Sequence, residues 1–306
     1  MSEKFSFIDA EKANYPVTKG CRWLGVSRSG YYDWRAAPVS AAARRRERLG
    51  VLVHAAFTGS RQTYGARRVA RVLRRGGQRV SLRLVGQLMA EQNLLACQPQ
   101  PGAGSGRQPG PPRAWRRTTV AGKAPAHVPD RLERDFTATT PGTRLVGDIT
   151  YVRTWSGWVY LATVLDLATR KVIGWAMAEH MRTELIVDAV AMAPGTGRLA
   201  KGCVFHSDRG AQYASAEFAA ALKGRNMVGS MGRTGICWDN AAAESFFASL
   251  KNELVYRTVF SSPNKARTAI AEYIEVFYNR QRLHSTLAYR TPDQVEVEYY
   301  TLSQAA

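Results

Sequence analysis

The stretch LVGDITYVRTWSGWVYLATVLDLATRKVIGWAMA, residues 145–178, decides the fold class. β-Branched and aromatic residues crowd three runs, Leu145–Arg153, Trp158–Asp166 and Lys171–Ala178, and turn signals separate them. Such runs read as strands. Ser156-Gly157 predicts a tight hairpin between the first two, and Ala168-Thr169-Arg170 joins the second pair. Trp155, Trp158 and Trp175 read as packing residues of that sheet. Asp148 is the odd member, an acid between apolar Val146 and Ile149.

Downstream the pattern alternates. A helix is expected over Thr183–Met192, a buried strand over Cys203–His206 and a helix over Ser215–Lys223. A short strand over Met227–Gly229 and a strong helix over Ala241–Val255 follow. Three antiparallel strands leading into alternating helix and strand make an α/β layout, in which acids at strand ends are available for chemistry.

Upstream everything reads helical. Val17–Trp23 leads into Leu24-Gly25-Val26-Ser27, where Gly25 turns the chain and Ser27 caps a helix over Arg28–Trp34. A longer helix is expected from about Ala41 to Phe57. Two short ones, Gly65–Arg75 and Ser81–Gln92, flank Gly76-Gly77 and carry single apolar stripes at helical spacing. This pair, within 63–92, reads as helix-turn-helix-like. Arg67, Arg68, Arg71, Arg74, Arg75, Arg79 and Arg83 fall mostly off the apolar stripes, free for phosphates; a generic basic hairpin is the other reading. The Pro/Gly-rich stretch opening QPQPGAGSGRQPGPPR has no apolar periodicity and reads as an exposed basic linker. The expected organisation is therefore a helical basic arm over 1–97, a linker over 98–129, an α/β core over 130–260 and a helical extension over 261–306.

The charge supports that division. The chain of 306 residues carries 43 Lys+Arg against 24 Asp+Glu, a net charge of +19. Residues 1–130 hold 23 basic and 7 acidic side chains, a net of +16. A polyanion is the first partner to suspect, and this region alone should bind DNA with steep salt dependence. No apolar run approaches the roughly 18 residues of a spanning helix and the N-terminus lacks a signal-peptide core, so no membrane is expected and the location reads as cytoplasmic, with the nucleoid. Cys21, Cys97, Cys203 and Cys237 are far apart in sequence and read as reduced thiols.

Three acids are poorly explained by folding. Asp148 lies inside a strand, Asp208 directly follows the buried strand, and Glu244 sits in the first turn of the Ala241–Val255 helix. Taken singly each has a bland reading, as a turn cap or a helix-dipole partner. Converging, they would repel strongly unless a hard, oxygen-seeking divalent cation such as Mg²⁺ or Mn²⁺ joined them. Two such ions suit in-line phosphoryl displacement. Lys251, seven residues after Glu244, projects on the same side of its helix. His206, two residues before Asp208, reads as a structural hydrogen-bonding residue, since Mg²⁺ prefers oxygen. Trp238 lies in a Gly-containing loop beside the site, where it could stack on a base. Arg280, Arg282 and His284, beyond a helix over Tyr273–Phe277, suit either a phosphate-contacting tail or a solvated turn.

The chain resembles the DDE-type insertion-sequence transposases with an integrase-like catalytic core, and is most similar to the second-frame proteins of the insertion sequence 3 family. The resemblance rests on VSRSGYYDW at 26–34, TYGARRVARVL at 63–73 and GDITYVRTWSGWVYLATVLDLATRKVIGW at 147–175. It continues through HSDRGAQY at 206–213, GRTGICWDNAAAESFFASLKNEL at 232–254 and YNRQRLHSTLAYRTP at 278–292. It covers nearly the whole chain. Ala211, Gly232 and Ile236 depart from the usual pattern, which affects detail in the loop before Glu244. The resemblance implies an RNase H-like core, a catalytic metal-binding triad of Asp148, Asp208 and Glu244, and a DNA-contacting Lys251. It also implies Mg²⁺ or Mn²⁺, two ions when DNA is bound, with the element's terminal inverted repeats and target DNA as substrates and a homo-oligomer assembled on them. In this family an upstream frame supplies a helix-turn-helix and coiled coil. No heptad run occurs in this chain, so such a protein, or a fusion with it, is an expected partner.

Two other readings stay open at this point. One is a metal nuclease that cuts without rejoining; the other is a DNA-binding regulator whose core no longer catalyses.

Overall fold

The computed structural model describes residues 1–36, 40–97, 128–133, 135–196, 198–232 and 241–305. The linker expected over 98–129 and the loop carrying Ile236, Trp238, Asp239 and Asn240 therefore lie almost entirely, or entirely, outside the described residues. The chain divides into two compact units, Met1–Ala55 and Ala56–Ala306.

In the first unit, α1 (Ser2–Glu11), α2 (Val17–Leu24) and α3 (Arg28–Ala36) precede the long α4 (Ala41–Gly59). Phe5, Ile8, Cys21 and Tyr31 form their small core, with Val17, Leu24, Val26 and Trp34 packed around it.

The second unit holds the short helices α5 (Ala66–Arg75) and α6 (Leu82–Glu91), followed by five strands. β1 (Arg144–Thr154), β2 (Gly157–Asp166) and β3 (Val172–Ala178) pair antiparallel; β4 (Val204–Ser207) and β5 (Val228–Met231) add in parallel on the other side of β1. The sheet order is β3-β2-β1-β4-β5. The first hairpin differs by one residue from the sequence reading. Thr154 pairs with Gly157, so Trp155 and Ser156 form the turn, and Trp155 is 78% exposed rather than packed.

Leu145, Ala162, Val164 and Phe205 bury one face of the sheet against α7 (Thr183–Thr196) and α8 (Ala216–Lys223). The other face meets α9 (Ala241–Glu253) and α10 (Pro263–Glu272), which contact β1 and β2. Side-chain caps start several of these helices: the Ser81, Ser215 and Ser262 hydroxyls accept the N–H of Leu84, Phe218 and Lys265. A π-helical stretch, Tyr273–Tyr278, continues α10, and α11 (Pro292–Ala305) closes the chain.

The division of the chain departs from the expected arm. Residues 56–97, with α5 and α6, group with the sheet rather than with α1–α3. The Tyr64 hydroxyl donates to the Gln281 carbonyl at 3.0 Å and accepts the Leu283 N–H at 2.7 Å. Arg61 pairs with Glu272 at 2.9 Å, and Arg75 donates to the Tyr289 carbonyl at 2.8 Å. These groups come from stretches some 200 residues apart, a closure that local periodicity does not encode. No helix among the described residues is long and apolar enough to cross a membrane.

Candidate active site

The parallel pairing of β1 and β4 sets the site. Its register runs Arg144↔Val204, Leu145↔Phe205 and Val146↔His206. Asp148 and Asp208 each lie two residues beyond that last pair, so the register directs both to the same end of the two strands, within electrostatic reach of each other. Gly147 makes the approach possible: a Cβ there would meet the Phe205 ring at 2.2 Å.

Asp148 is half-buried and accepts the Ile149 N–H on Oδ1 at 2.8 Å. Burial and then the Asp208 and Glu244 carboxylates push its carboxyl up to about 7, against the pull of the Ile149 N–H and Lys251. These influences place Glu244 and Lys251 of α9 within electrostatic reach of Asp148. Asp208, just past β4, is half-buried and accepts the Gly210 N–H at 3.0 Å, while Glu244 is exposed. Burial lowers the Lys251 ammonium pKa and Asp148 counters it; its Nζ stands 5.6 Å from the centre of the Tyr151 ring.

Among the described residues no three acid, histidine or cysteine side chains close to metal-ligating distance. The donor set is nonetheless all carboxylate, the chemistry a hard divalent cation selects.

Two neighbours escaped sequence reasoning. Tyr213 is buried with its hydroxyl pushed well above its usual pKa, by burial first and then by Asp148 and Asp208. Thr163 pairs directly with Asp148 across β1 and β2, and its buried hydroxyl has no hydrogen-bond partner among the described residues. Tyr213 stood within the quoted HSDRGAQY, whereas Thr163 carried no signal without the strand register. His206 behaves as expected, its Nδ1 2.8 Å from the Ser230 hydroxyl.

The DNA-contact residues fare unevenly. Arg282 is corrected outright: it is 6% exposed and bonded to Glu253, so it is a buried structural residue. His284 is likewise buried, edge-on to Tyr278. Arg68 stands 3.9 Å from Glu253, Arg71 lies over the Tyr289 ring, and Arg74 donates to the Val80 carbonyl. Arg67, Arg74, Arg75 and Arg79 remain exposed.

The sequence matches known protein families. The integrase core domain family matches residues 138–237, a second integrase core domain family matches 226–292, and an HTH-like domain family matches 44–102. The chain is 38% identical over 298 residues to the transposase InsF of insertion sequence IS3A from Escherichia coli K12, covering 96% of this chain and 98% of that one. The chain belongs to the insertion sequence 3 transposase family. A 31 kDa protein of insertion element IS600 from Shigella sonnei is 36% identical over 283 residues, 92% of this chain and 99% of its own. Among solved structures, the magnesium-bound HTLV-2 integrase catalytic core is 17% identical over 52% of this chain and 99% of that one, with a TM-score of 0.43. The integrase core family matches and the InsF relative give this transposase the expected α/β integrase core, and its function is DNA transposition.

Proposed function

We propose that Asp148, Asp208 and Glu244 are the catalytic carboxylates of this transposase and hold divalent metal, Mg²⁺ or Mn²⁺, two ions when DNA is bound. The observation that carries this is the parallel pairing of β1 and β4, which directs Asp148 and Asp208 to the same end of the two strands, where burial and the two other acids raise the Asp148 carboxyl. A cluster of this kind gains most from a divalent cation, which relieves the repulsion and displaces the proton. When bound, the metal supplies charge neutralisation on the phosphate and activation of an attacking oxygen.

The chain's own residues supply the rest. β1 and β4 fix two carboxylates at one level of the sheet, and α9 brings the third together with Lys251. The Lys251 ammonium holds a phosphate of the DNA backbone beside the acids. Water attacks the phosphodiester at the element end, and the freed 3′-OH then attacks a second strand. Nothing covalent forms with the protein, so catalysis rests on positioning and charge. Partners are the terminal inverted repeats and target DNA, held by an oligomer of this chain. Arg67, Arg74, Arg75 and Arg79 remain proposed as contacts to the DNA backbone.

Strand transfer on element-end DNA with Mg²⁺ tests this reading. Asp148→Asn, Asp208→Asn and Glu244→Gln should each abolish joined product and leave DNA binding intact. Full strand transfer by any one of them overturns the triad. Nicked DNA without joined product from the wild type assigns a nuclease instead, and metal-independent DNA binding without cleavage assigns a regulator.

A further inference from the structure

The matched HTH-like family begins at residue 44, which leaves α1–α3 without a role. These helices have the build of a reading head. Three residues, Gly25-Val26-Ser27, join α2 to α3, the length of a helix-turn-helix connection. Gly25 adopts the left-handed conformation, φ 62° and ψ 42°, and the Val26 N–H reaches back to the Cys21 carbonyl at 3.0 Å. An L side chain at Gly25 would be strained there. The Ser27 hydroxyl then caps α3 by accepting the Gly30 N–H at 3.0 Å.

α3 is held firmly from behind. Tyr31 is fully buried, and its hydroxyl donates to Asp9 of α1 at 2.7 Å. Trp34 packs on the same core. Arg28, Ser29, Tyr32 and Asp33, at positions i, i+1, i+4 and i+5, form the opposite face, and all four are exposed. Among the described residues, Arg28 and Tyr32 make no side-chain hydrogen bond or ion pair. Lys19 and Arg22 of α2 are also exposed, so basic side chains outnumber the single acid, Asp33, on these outward surfaces. The helix width of about 10–12 Å fits a major groove about 12 Å wide.

We infer that the unit Met1–Ala55 is a helix-turn-helix in its own right, with α3 reading base edges in the major groove through Arg28, Ser29 and Tyr32 and α2 meeting phosphates through Lys19 and Arg22. This deepens the proposed function, since it rests on DNA being the substrate. The donors of Arg28 suit guanine O6 and N7, and the exposed α3 face, not the α5–α6 pair, carries sequence preference. The arginines of α5 are engaged differently: Arg68, Arg71, Arg74 and Arg75 already touch Glu253, the Tyr289 ring and backbone carbonyls within Ala56–Ala306.

Selection of the full-length chain on a pool of randomised DNA duplexes tests this. The wild type should enrich a motif, and Arg28→Ala should lose the preferred base at one or two positions and bind the enriched duplex at least tenfold more weakly. Arg28→Lys, which keeps the charge and loses the fork, should keep non-specific binding but not the preference. Arg67→Ala, at a proposed backbone contact, should weaken binding to all duplexes alike and leave the base preferences unchanged. Matching circular dichroism and melting temperature establish that the variants fold. An unchanged motif and affinity in an Arg28→Ala/Tyr32→Ala variant overturn the inference while leaving the transposase reading standing. Non-specific binding without any motif overturns it too. Failure of the wild type to bind any duplex overturns both.

Discussion

Arg282 and Glu253 meet as a buried, forked ion pair. Arg282 Nε lies 3.0 and 2.8 Å from the two carboxylate oxygens and Nη2 lies 2.7 Å from Oε1. The Tyr273 hydroxyl adds a third donor to Glu253 at 2.8 Å, and Arg282 also reaches the Ser249 hydroxyl. The pair ties the segment after the π-helical stretch to the end of α9, the helix that carries Glu244 and Lys251. Removing one partner leaves a buried charge uncompensated, which costs about 3–5 kcal/mol. Arg282→Ala and Glu253→Ala should each lower the denaturation midpoint steeply. Arg282→Lys should recover little, because an ammonium cannot reproduce the fork. A midpoint within error of wild type for Arg282→Ala would show that the pair contributes nothing.

Gly147→Ala should damage the site without touching an acid. The added Cβ would lie 2.2 Å from the buried Phe205 ring, so the ring or the strands that carry it must shift next to Asp148. Overpacking of this kind costs roughly 1–3 kcal/mol. Strand transfer should fall by more than the loss of folded protein explains, measured on material whose folded fraction is known. A Gly147→Ala/Phe205→Leu double variant should recover part of both losses.

In the metal-free protein Asp148→Asn should be stabilising. The folded carboxyl titrates at about 7, above its ordinary 3.8, so between those values the folded state binds more protons than the unfolded one. The Asp148 contribution to wild-type stability accordingly falls as pH rises from about 4 to about 7 and is level above. The asparagine variant lacks this loss, and its advantage should grow across that window to at most ~4 kcal/mol. Melting curves in chelator at pH 5 and pH 8 measure it; an equal difference at both pH values contradicts the raised carboxyl.

His284 should make the protein acid-sensitive. Burial, reinforced by Arg282, lowers its pKa from 6.5 to about 3, and its Nε2 is a buried atom without a hydrogen-bond partner among the described residues. Below pH 6.5 the unfolded chain takes up a proton that the folded one refuses, so the His284 contribution to stability drops as pH falls, opposite in sign to that of Asp148. Between pH 6.5 and 5 the loss is about 2 kcal/mol. In the Asp148→Asn background, which lacks the opposing carboxyl, His284→Asn should flatten that limb. Retention of the full slope in the variant would assign the acid sensitivity to other groups.

Thr163→Val should be stabilising by about 1 kcal/mol, because it removes a buried hydroxyl that has no partner and keeps the branched shape. Equilibrium denaturation in urea checks this, and a lower midpoint would show that the hydroxyl is satisfied in solution.

Much of the site was legible because its chemistry is local. Acids between apolar strand residues, a helix opening on Glu244 and a lysine two turns later are visible as residue types at fixed spacing. The strand runs around Asp148 appeared within a residue or two, and only the tip of the first hairpin shifted, exposing Trp155. The basic residues were harder. A run of arginines has one appearance whether it meets phosphate or protein, and net charge does not separate the cases. Arg282 looked like part of a phosphate-contacting tail and proved to be the buried partner of Glu253. Arg68, Arg71, Arg74 and Arg75 looked free and also touch groups of their own unit, Arg74 and Arg75 from exposed positions.

The sequence by itself determined the α/β core and the family and singled out the three acids proposed as the site, since period-2 and period-3.6 patterns and short motifs are written along the chain. Tertiary structure alone decided which acids share a level of the sheet, that Thr163 faces Asp148, and that residues 56–97 join the core while α1–α3 stand as their own unit. These depend on strand register and on contacts between residues some 200 positions apart, such as Tyr64 with Leu283. Closing so long a loop is decided by the packing of the whole unit, and no local window of sequence contains it.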